Sequence, residues 1–287
     1  MKSVINDWVA LCKARIQVIS LVGAELCLTM ANGGMPDWPV MVHLAIGLTL
    51  VSCSASAMNQ LLEVDADRRM HRTQNRPLPT GRISIKTGWT FSALTGVGGL
   101  LWCLIFLNPL TAWLAVVMVV TYDFIYTPLK RKTVLNTLVG AVPGAMPLLV
   151  GWAAAGRGLD LMAGILFAIL FVWQLPHFLA IAWMYREDYE RGGMRMLANA
   201  APSGATSRQG IHGALLLLPA SLLPLLAAPV GKLYFYGALS MGLIYLAFVV
   251  HFGLERSDKR AKRVLYASII HLPLLLALLA WDWFSTS

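Results

Sequence analysis

Charge is what this sequence has least of. Only 13% of its 287 residues are Asp, Glu, Lys or Arg, against about 25% in a soluble domain, so composition excludes the soluble globular class. Cysteine is scarce as well. Cys12, Cys27, Cys53 and Cys103 stand alone within or beside apolar segments. No CxxC spacing joins them, which excludes a disulfide framework or a zinc site and reads as core packing. Long loops are missing on one side of the chain, where "ANGGMPDWP", "LNPL", "AAGRGLD" and "APVGK" leave little room for chemistry.

What fills the sequence instead is hydrocarbon, at 57% hydrophobic residues. Crossing a bilayer takes about 20 apolar residues. Nine segments qualify, near 14–33, 38–58, 87–107, 110–127, 134–155, 160–184, 210–229, 232–253 and 264–284. Unpaired backbone cannot sit in lipid and the segments are too long for barrel strands, so each is expected to be a helix. All of the 23 Lys and Arg except Arg157 and Lys232 fall at the N-terminus or in the loops after spans two, four, six and eight. By the positive-inside rule the N-terminus is cytoplasmic and the C-terminus outside. The net charge of +9 is largely this asymmetry and calls for no nucleic-acid partner. Glu25 interrupts the first apolar run and no A-x-A site follows, so it reads as a span and not a signal peptide. No Arg/Ser-rich, acid-poor leader is seen, and the reading is a multi-pass protein of the bacterial inner membrane.

Function is expected in the inward loops. The first, "NQLLEVDADRRMHRTQNRPLPTG", places Asn59, Glu63 and Asp67 four residues apart. If the second helix runs on past the membrane surface, each step adds about 40° and 6 Å, so the three form one oxygen-lined stripe while Asp65 points elsewhere. Such a stripe suits Mg²⁺, which takes one or two carboxylates and completes its shell with water and phosphate oxygens. Arg68, Arg69, Arg72 and Arg76 offer planar forks for phosphate. The alternative is a solvated basic loop with local counter-charges.

In the second inward loop, "YDFIYTPLKRKTVLN", Tyr126 and Lys130 flank Pro128, which is expected to break the helix at the surface. Lys130, Arg131 and Lys132 there could clasp an anion, and Asp123 is an unusual carboxylate near the membrane edge. The third, "WQLPHFLAIAWMYREDYERGGMRML", brings Glu187 and Asp188 after span six, where Asp67 stands after span two. That parallel suggests one polytopic domain over 1–287, built of two four-helix halves plus a ninth helix, with carboxylates facing each other across a cavity. His177 lies inside a span and reads either as a functional group, such as a haem ligand, or as a helix-packing hydrogen bond.

These blocks together resemble the UbiA-type intramembrane prenyltransferases, and within them the haem O synthase branch, through "RTQNRPLPTG" and "PHFLAIAWMYREDY". The resemblance covers nearly the whole chain. It implies an all-α membrane protein of nine helices ringed around a central cavity whose polar mouth faces the cytoplasm. It implies transfer of the farnesyl group of farnesyl diphosphate to a vinyl group of haem b, with addition of water, giving haem O and diphosphate. The lipid bilayer is the setting, and haem A synthase or terminal oxidase assembly factors are the implied partners.

Carried over by position, Asn59, Glu63, Asp67 and Asp188 would hold Mg²⁺. Tyr126 and Lys130 match the family's diphosphate motif, and Arg68, Arg72, Arg76, Arg131, His177, Tyr185 and Glu187 would contact substrates. The second acidic motif is incomplete, because Met184 stands four residues before Asp188, leaving one or two metal ions open. Tyr122, Tyr126, Trp173 and Tyr185 are candidates to steady an allylic cation. Two other readings compete. A related enzyme could prenylate an aromatic or quinone precursor. A secondary transporter would use intramembrane Glu25 and His43, although transporter sites lie near the midplane and the acidic groups here cluster at one interface.

Overall fold

The computed structural model describes residues 2–202 and 204–286. Among them the chain is helical and carries no strand. Nine helices are long and apolar enough to span a membrane, so this is a multi-pass membrane protein. The chain forms two compact units.

The first unit comprises residues 1–158 and 187–194. Its helices are α1 (Lys2–Leu11), α2 (Ala14–Asn32), α3 (Trp38–Leu62), α4 (Val64–Arg69), α5 (Ile85–Phe106), α6 (Pro109–Val119), α7 (Thr127–Leu129) and α8 (Asn136–Ala154). A π-helical turn, Val120–Tyr126, joins α6 to α7. Helix starts follow sequence chemistry. Ser84 and Asn108 accept the N–H groups of Thr87 and Thr111, and Pro109 opens α6 at a position where a missing N–H costs nothing.

Lipid gives no hydrophobic drive between helices, so close backbone approach and internal hydrogen bonds hold them. A Cβ on Gly151 of α8 would lie 2.0 Å from the Ala24 carbonyl oxygen of α2, so only glycine permits that crossing. Between α3 and α5, Ser54 Oγ donates to the Ser92 carbonyl (2.7 Å) and Ser92 Oγ donates to the Ser54 carbonyl (3.1 Å). At the charged end, Leu11 packs with Ala57, Leu61, Leu78 and Ile83 and is fully buried. That burial contributes about 1.5–3 kcal/mol and pins α1 beside the end of α3.

The second unit comprises residues 159–186 and 195–287. It contains α9 (Leu161–Met184), α11 (Leu197–Ala200), α12 (Ala205–Leu222), α13 (Lys232–Leu254) and α14 (Asp258–Thr286). The short α10 (Arg186–Arg191) begins at its edge and lies mostly in the first unit. Asp160 caps α9 through the Ala163 N–H. Helix α9 packs on α12 and α14, and α13 on α12 and α14.

Most expected spans match these helices within a few residues. Span seven starts earlier, at Ala205, and span nine at Asp258. Both starts are polar, and hydropathy reports contact with lipid, not the length of the helix. One local expectation needs correction. Helix α3 does not run on intact, because Glu63 leaves helical geometry (φ −108°, ψ 7°) and α4 begins after it. The helix that opens at Pro109 ends at Leu129, one residue past Pro128, as expected. The π turn widens it just before Pro128, and the Thr127 N–H reaches back to the Tyr122 carbonyl.

Candidate functional site

The site grows from the break at Glu63. Backbone bonds still link the Glu63 N–H to the Asn59 carbonyl (3.1 Å) and the Asp67 N–H to the Glu63 carbonyl (2.8 Å). The four-residue stripe therefore survives the change of helix, and Asn59, Glu63 and Asp67 are all buried. Each meets a cation. Lys130 Nζ pairs with Glu63 Oε1 at 2.5 Å, Arg76 Nη1 with Asp67 Oδ2 at 2.8 Å, and Lys13 Nζ donates to Asn59 Oδ1 at 2.8 Å. Asn59 Nδ2 donates to Thr127 Oγ1 (2.9 Å) and Glu63 Oε2 (3.2 Å). Three cations and two carboxylates are thus gathered at one membrane edge.

The second loop enters through the π turn. Lys130 Nζ sits 4.8 Å above the Tyr126 ring, and Tyr126 stacks on Tyr122 at 5.7 Å. A Cβ on Gly140 would stand 2.5 Å from Tyr126 Cε2, so glycine there makes room for the ring. The Tyr122 hydroxyl accepts from Lys13 Nζ at 3.2 Å. Asp123, in the same turn, is fully buried and neither carboxylate oxygen has a hydrogen-bond partner.

Lys13 is the residue that sequence reasoning missed, having counted it only among the inward charges. It sits between α1 and α2 with φ 52°, the left-handed region, which costs a residue with a Cβ about 1–2 kcal/mol. Gln60 Nε2 donates to the Leu11 carbonyl (2.7 Å) and Gln17 Nε2 to the Cys12 carbonyl, fixing the reversal that aims the lysine at Asn59. Burial, reinforced by the Arg76 and Lys130 cations, pushes its ammonium down to about 7. Nothing in the pattern "LCKARIQ" marks a strained lysine.

The third loop contributes differently from what the sequence implied. Asp188 accepts the His71 N–H (Oδ1, 3.0 Å), the Arg72 N–H (Oδ2, 3.0 Å) and Arg191 Nη2 (Oδ1, 2.6 Å). Burial alone would raise this carboxyl, but those bonds override it and hold it below its ordinary value. Both oxygens are thus committed to fastening the turn that carries Arg72. Arg72 is exposed and lies 5.7 Å over Tyr189. Arg68 turns to solvent on Asp65 (3.0 Å), away from the expected phosphate contact. Arg131 and Glu187 are exposed.

Among the described residues no three His, Cys, Asp or Glu side chains converge into a ready-made metal cage. A single hard cation still fits the chemistry present. Asp67 Oδ1 is a buried acceptor with no partner, on the same stripe as the Asn59 amide oxygen. Mg²⁺ needs only one or two protein carboxylates when phosphate oxygens complete its shell.

The second unit holds His177 and Tyr185. Ser268 Oγ donates its one hydrogen to the Leu265 carbonyl (2.6 Å), so its 2.7 Å contact with His177 Nδ1 is an acceptance from Nδ1–H. The imidazole is held as that tautomer, and its Nε2 lone pair is left for another partner. Trp173 stacks on the ring at 4.8 Å and donates Nε1–H to the Ser268 carbonyl (3.1 Å). His177 therefore makes the helix-packing bond that one reading required, and keeps the free nitrogen that the other required.

Comparison with known proteins identifies the family. The model of the UbiA prenyltransferase family matches residues 18–279. The chain is 38% identical to a protoheme IX farnesyltransferase of Solibacter usitatus, over 96% of this chain and 98% of that one. It is 41% identical to the Salinibacter ruber protein of the same name, over 97% and 99%. Among solved structures, a digeranylgeranylglyceryl phosphate synthase aligns with a TM-score of 0.82 at 16% identity, covering 99% of this chain and 100% of that one. A UbiA homologue from Archaeoglobus fulgidus bound to GPP and Mg²⁺ aligns at 0.70 and 13% identity, covering 95% and 99%. The chain belongs to the UbiA prenyltransferase family.

Proposed function

We propose that this chain transfers the farnesyl group of farnesyl diphosphate to a vinyl carbon of haem b. Water adds to the adjoining carbon, and haem O and diphosphate leave. The observation that carries the reading is the gathering of Lys13, Arg76 and Lys130 around Asn59, Glu63 and Asp67, in a chain whose full-length relatives are named protoheme IX farnesyltransferase.

The residues' roles follow from their pairs. Heterolysis of the allylic C–O bond puts negative charge on diphosphate, and preorganised cations help most where charge develops. Arg76 and Lys130 are held in place by carboxylates and turn their remaining N–H donors toward the leaving anion. Lys13, whose positive charge is disfavoured by burial and by the Arg76 and Lys130 cations, would be stabilised as a cation by an anion beside it. Asn59 and Asp67 would hold Mg²⁺, which would supply further neutralisation of the diphosphate. Tyr122 and Tyr126 present aromatic faces to an allylic cation. Asp188 acts through the loop it fastens, setting the position of Arg72, so a second metal is not part of this proposal. His177 would offer Nε2 to the haem iron, with its Nδ1–H held by Ser268 as the other ring nitrogen of a ligating histidine normally is.

The haem vinyl attacks the farnesyl cation, and the resulting benzylic-type cation takes up water and loses a proton. The Lys and Arg asymmetry supports a diphosphate site on the cytoplasmic side of a bacterial inner membrane, where haem O would pass to terminal oxidases or to haem A formation. The decisive experiment incubates purified protein with haem b, farnesyl diphosphate and Mg²⁺ and weighs the porphyrin. A product heavier by one farnesyl group and one hydroxyl is expected. Unmodified haem b, with prenylated 4-hydroxybenzoate formed in a parallel reaction, would transfer the activity to another acceptor.

A further inference from the structure

A cavity of about 570 Å³ lies at the basic end of the second unit, where α9 ends, α12 begins and α13 ends. Trp183, Arg186, Leu197, Pro202, Leu254 and Arg256 are among its walls. None of the diphosphate-site groups above belongs to it.

Its charge is concentrated in an unusual way. Gly204, at φ +85°, lines the cavity, and a Cβ placed on it would lie 3.2 Å from Arg208 Nη1 and 3.5 Å from Arg256 Nη1. Two guanidinium nitrogens therefore approach one point, one from α12 and one from the loop between α13 and α14, well inside the distance over which salt screens like charges. Arg186 adds a third guanidinium, resting 4.9 Å over the Trp183 ring and bonded to Asp258 at 2.7 Å. Glu255, the neighbouring carboxylate, is bonded to Arg260 at 2.5 Å. Arg186 and Arg256 thus line the cavity and Arg208 approaches its Gly204 wall, at a place where the forks of arginine match phosphate geometry.

The walls indicate what carries the phosphate. Leu254 is 80% exposed beside the arginines. Leu197, Ala198, Ala201 and Pro202 add apolar surface, and Trp183 lies at the end of a span, the depth at which indoles sit at the lipid–water boundary. A soluble phosphate needs no greasy rim. We propose that this cavity is a binding site for the phosphate headgroup of an anionic phospholipid of the inner leaflet, gripped by Arg186, Arg208 and Arg256 with an acyl chain along Leu254.

The test places the full-length protein in phosphatidylcholine nanodiscs containing spin-labelled phosphatidylglycerol or spin-labelled phosphatidylcholine, and reads the motionally restricted fraction. Phosphatidylglycerol should be preferred, and R208Q/R256Q should lower that preference by about fivefold for each guanidinium removed. The charge-matched K259Q/K262Q, on the same side of the second unit, should keep it. R208Q alone gives a smaller loss should the double variant fail to accumulate. Equal losses in the two double variants would reduce the effect to general positive charge and overturn the site. An unchanged preference in R208Q/R256Q would overturn it too. Displacement of the labelled lipid by millimolar inorganic phosphate would overturn the lipid as occupant.

Discussion

The carboxylates Glu63 and Asp67 of the first unit are ions held in pairs, whereas the polar groups beside His177 in the second form neutral hydrogen bonds. Lys130 meets Glu63 and Arg76 meets Asp67, each pair with a carboxylate buried to within a few per cent. His177 meets a serine hydroxyl, and that serine meets a backbone carbonyl. Paired ions can exchange partners when a charged ligand enters, because each has a strong second choice. A neutral chain with its one hydrogen committed cannot, and fixes one tautomer instead. One region is suited to admit and release an anion, the other to present a single lone pair without change.

The largest expected effect breaks the first half of that contrast. Asp67→Asn keeps the shape but strips Arg76 of its counter-charge and the proposed metal of an anionic oxygen. Turnover should fall about 10²–10³-fold at normal membrane insertion, read as diphosphate release. Near-normal release would mean that the pair is only structural. Next, His177→Ala should abolish the change in the visible spectrum on adding haem b while leaving slow hydrolysis of farnesyl diphosphate intact. An unchanged spectrum excludes ligation.

Ser268→Ala frees the tautomer and should weaken haem affinity about 10–100-fold, with Ser268→Thr restoring it. Equal affinity in all three proteins would show that the serine merely packs. The smallest effect concerns Asp123, which departs from the pairing rule. Two unpartnered buried oxygens cost about 1–3 kcal/mol, so Asp123→Leu should hold or raise the thermal midpoint. A fall would reveal a partner for the carboxyl.

The spans were legible because lipid imposes one requirement, apolar length, and sequence states it directly. The stripe of Asn59, Glu63 and Asp67 was legible because four-residue spacing survives even a break in the helix. Arg68 was not, since the choice between solvent and site depends on which face α4 turns after Glu63. Lys13 was not, because a left-handed backbone at a lysine is decided by Gln17 and Gln60 capturing the preceding carbonyls. The duty of Asp188 escaped for a similar reason. Its partners are backbone N–H groups of a distant loop, which no residue pattern announces. The tautomer of His177 needed the position of Leu265's carbonyl, three residues from a serine that drew no attention.

The widened turn at Val120–Tyr126 has a consequence for inheritance. A π turn is an α-helix carrying one surplus position, and an α-helix advances about 100° per residue. Removing one residue from that stretch would let the helix relax to regular winding while everything after it, Lys130 included, keeps its place against Glu63. A one-codon deletion at the turn would therefore be absorbed, whereas the same deletion in the regular part of α6 would swing the second loop about a quarter-turn.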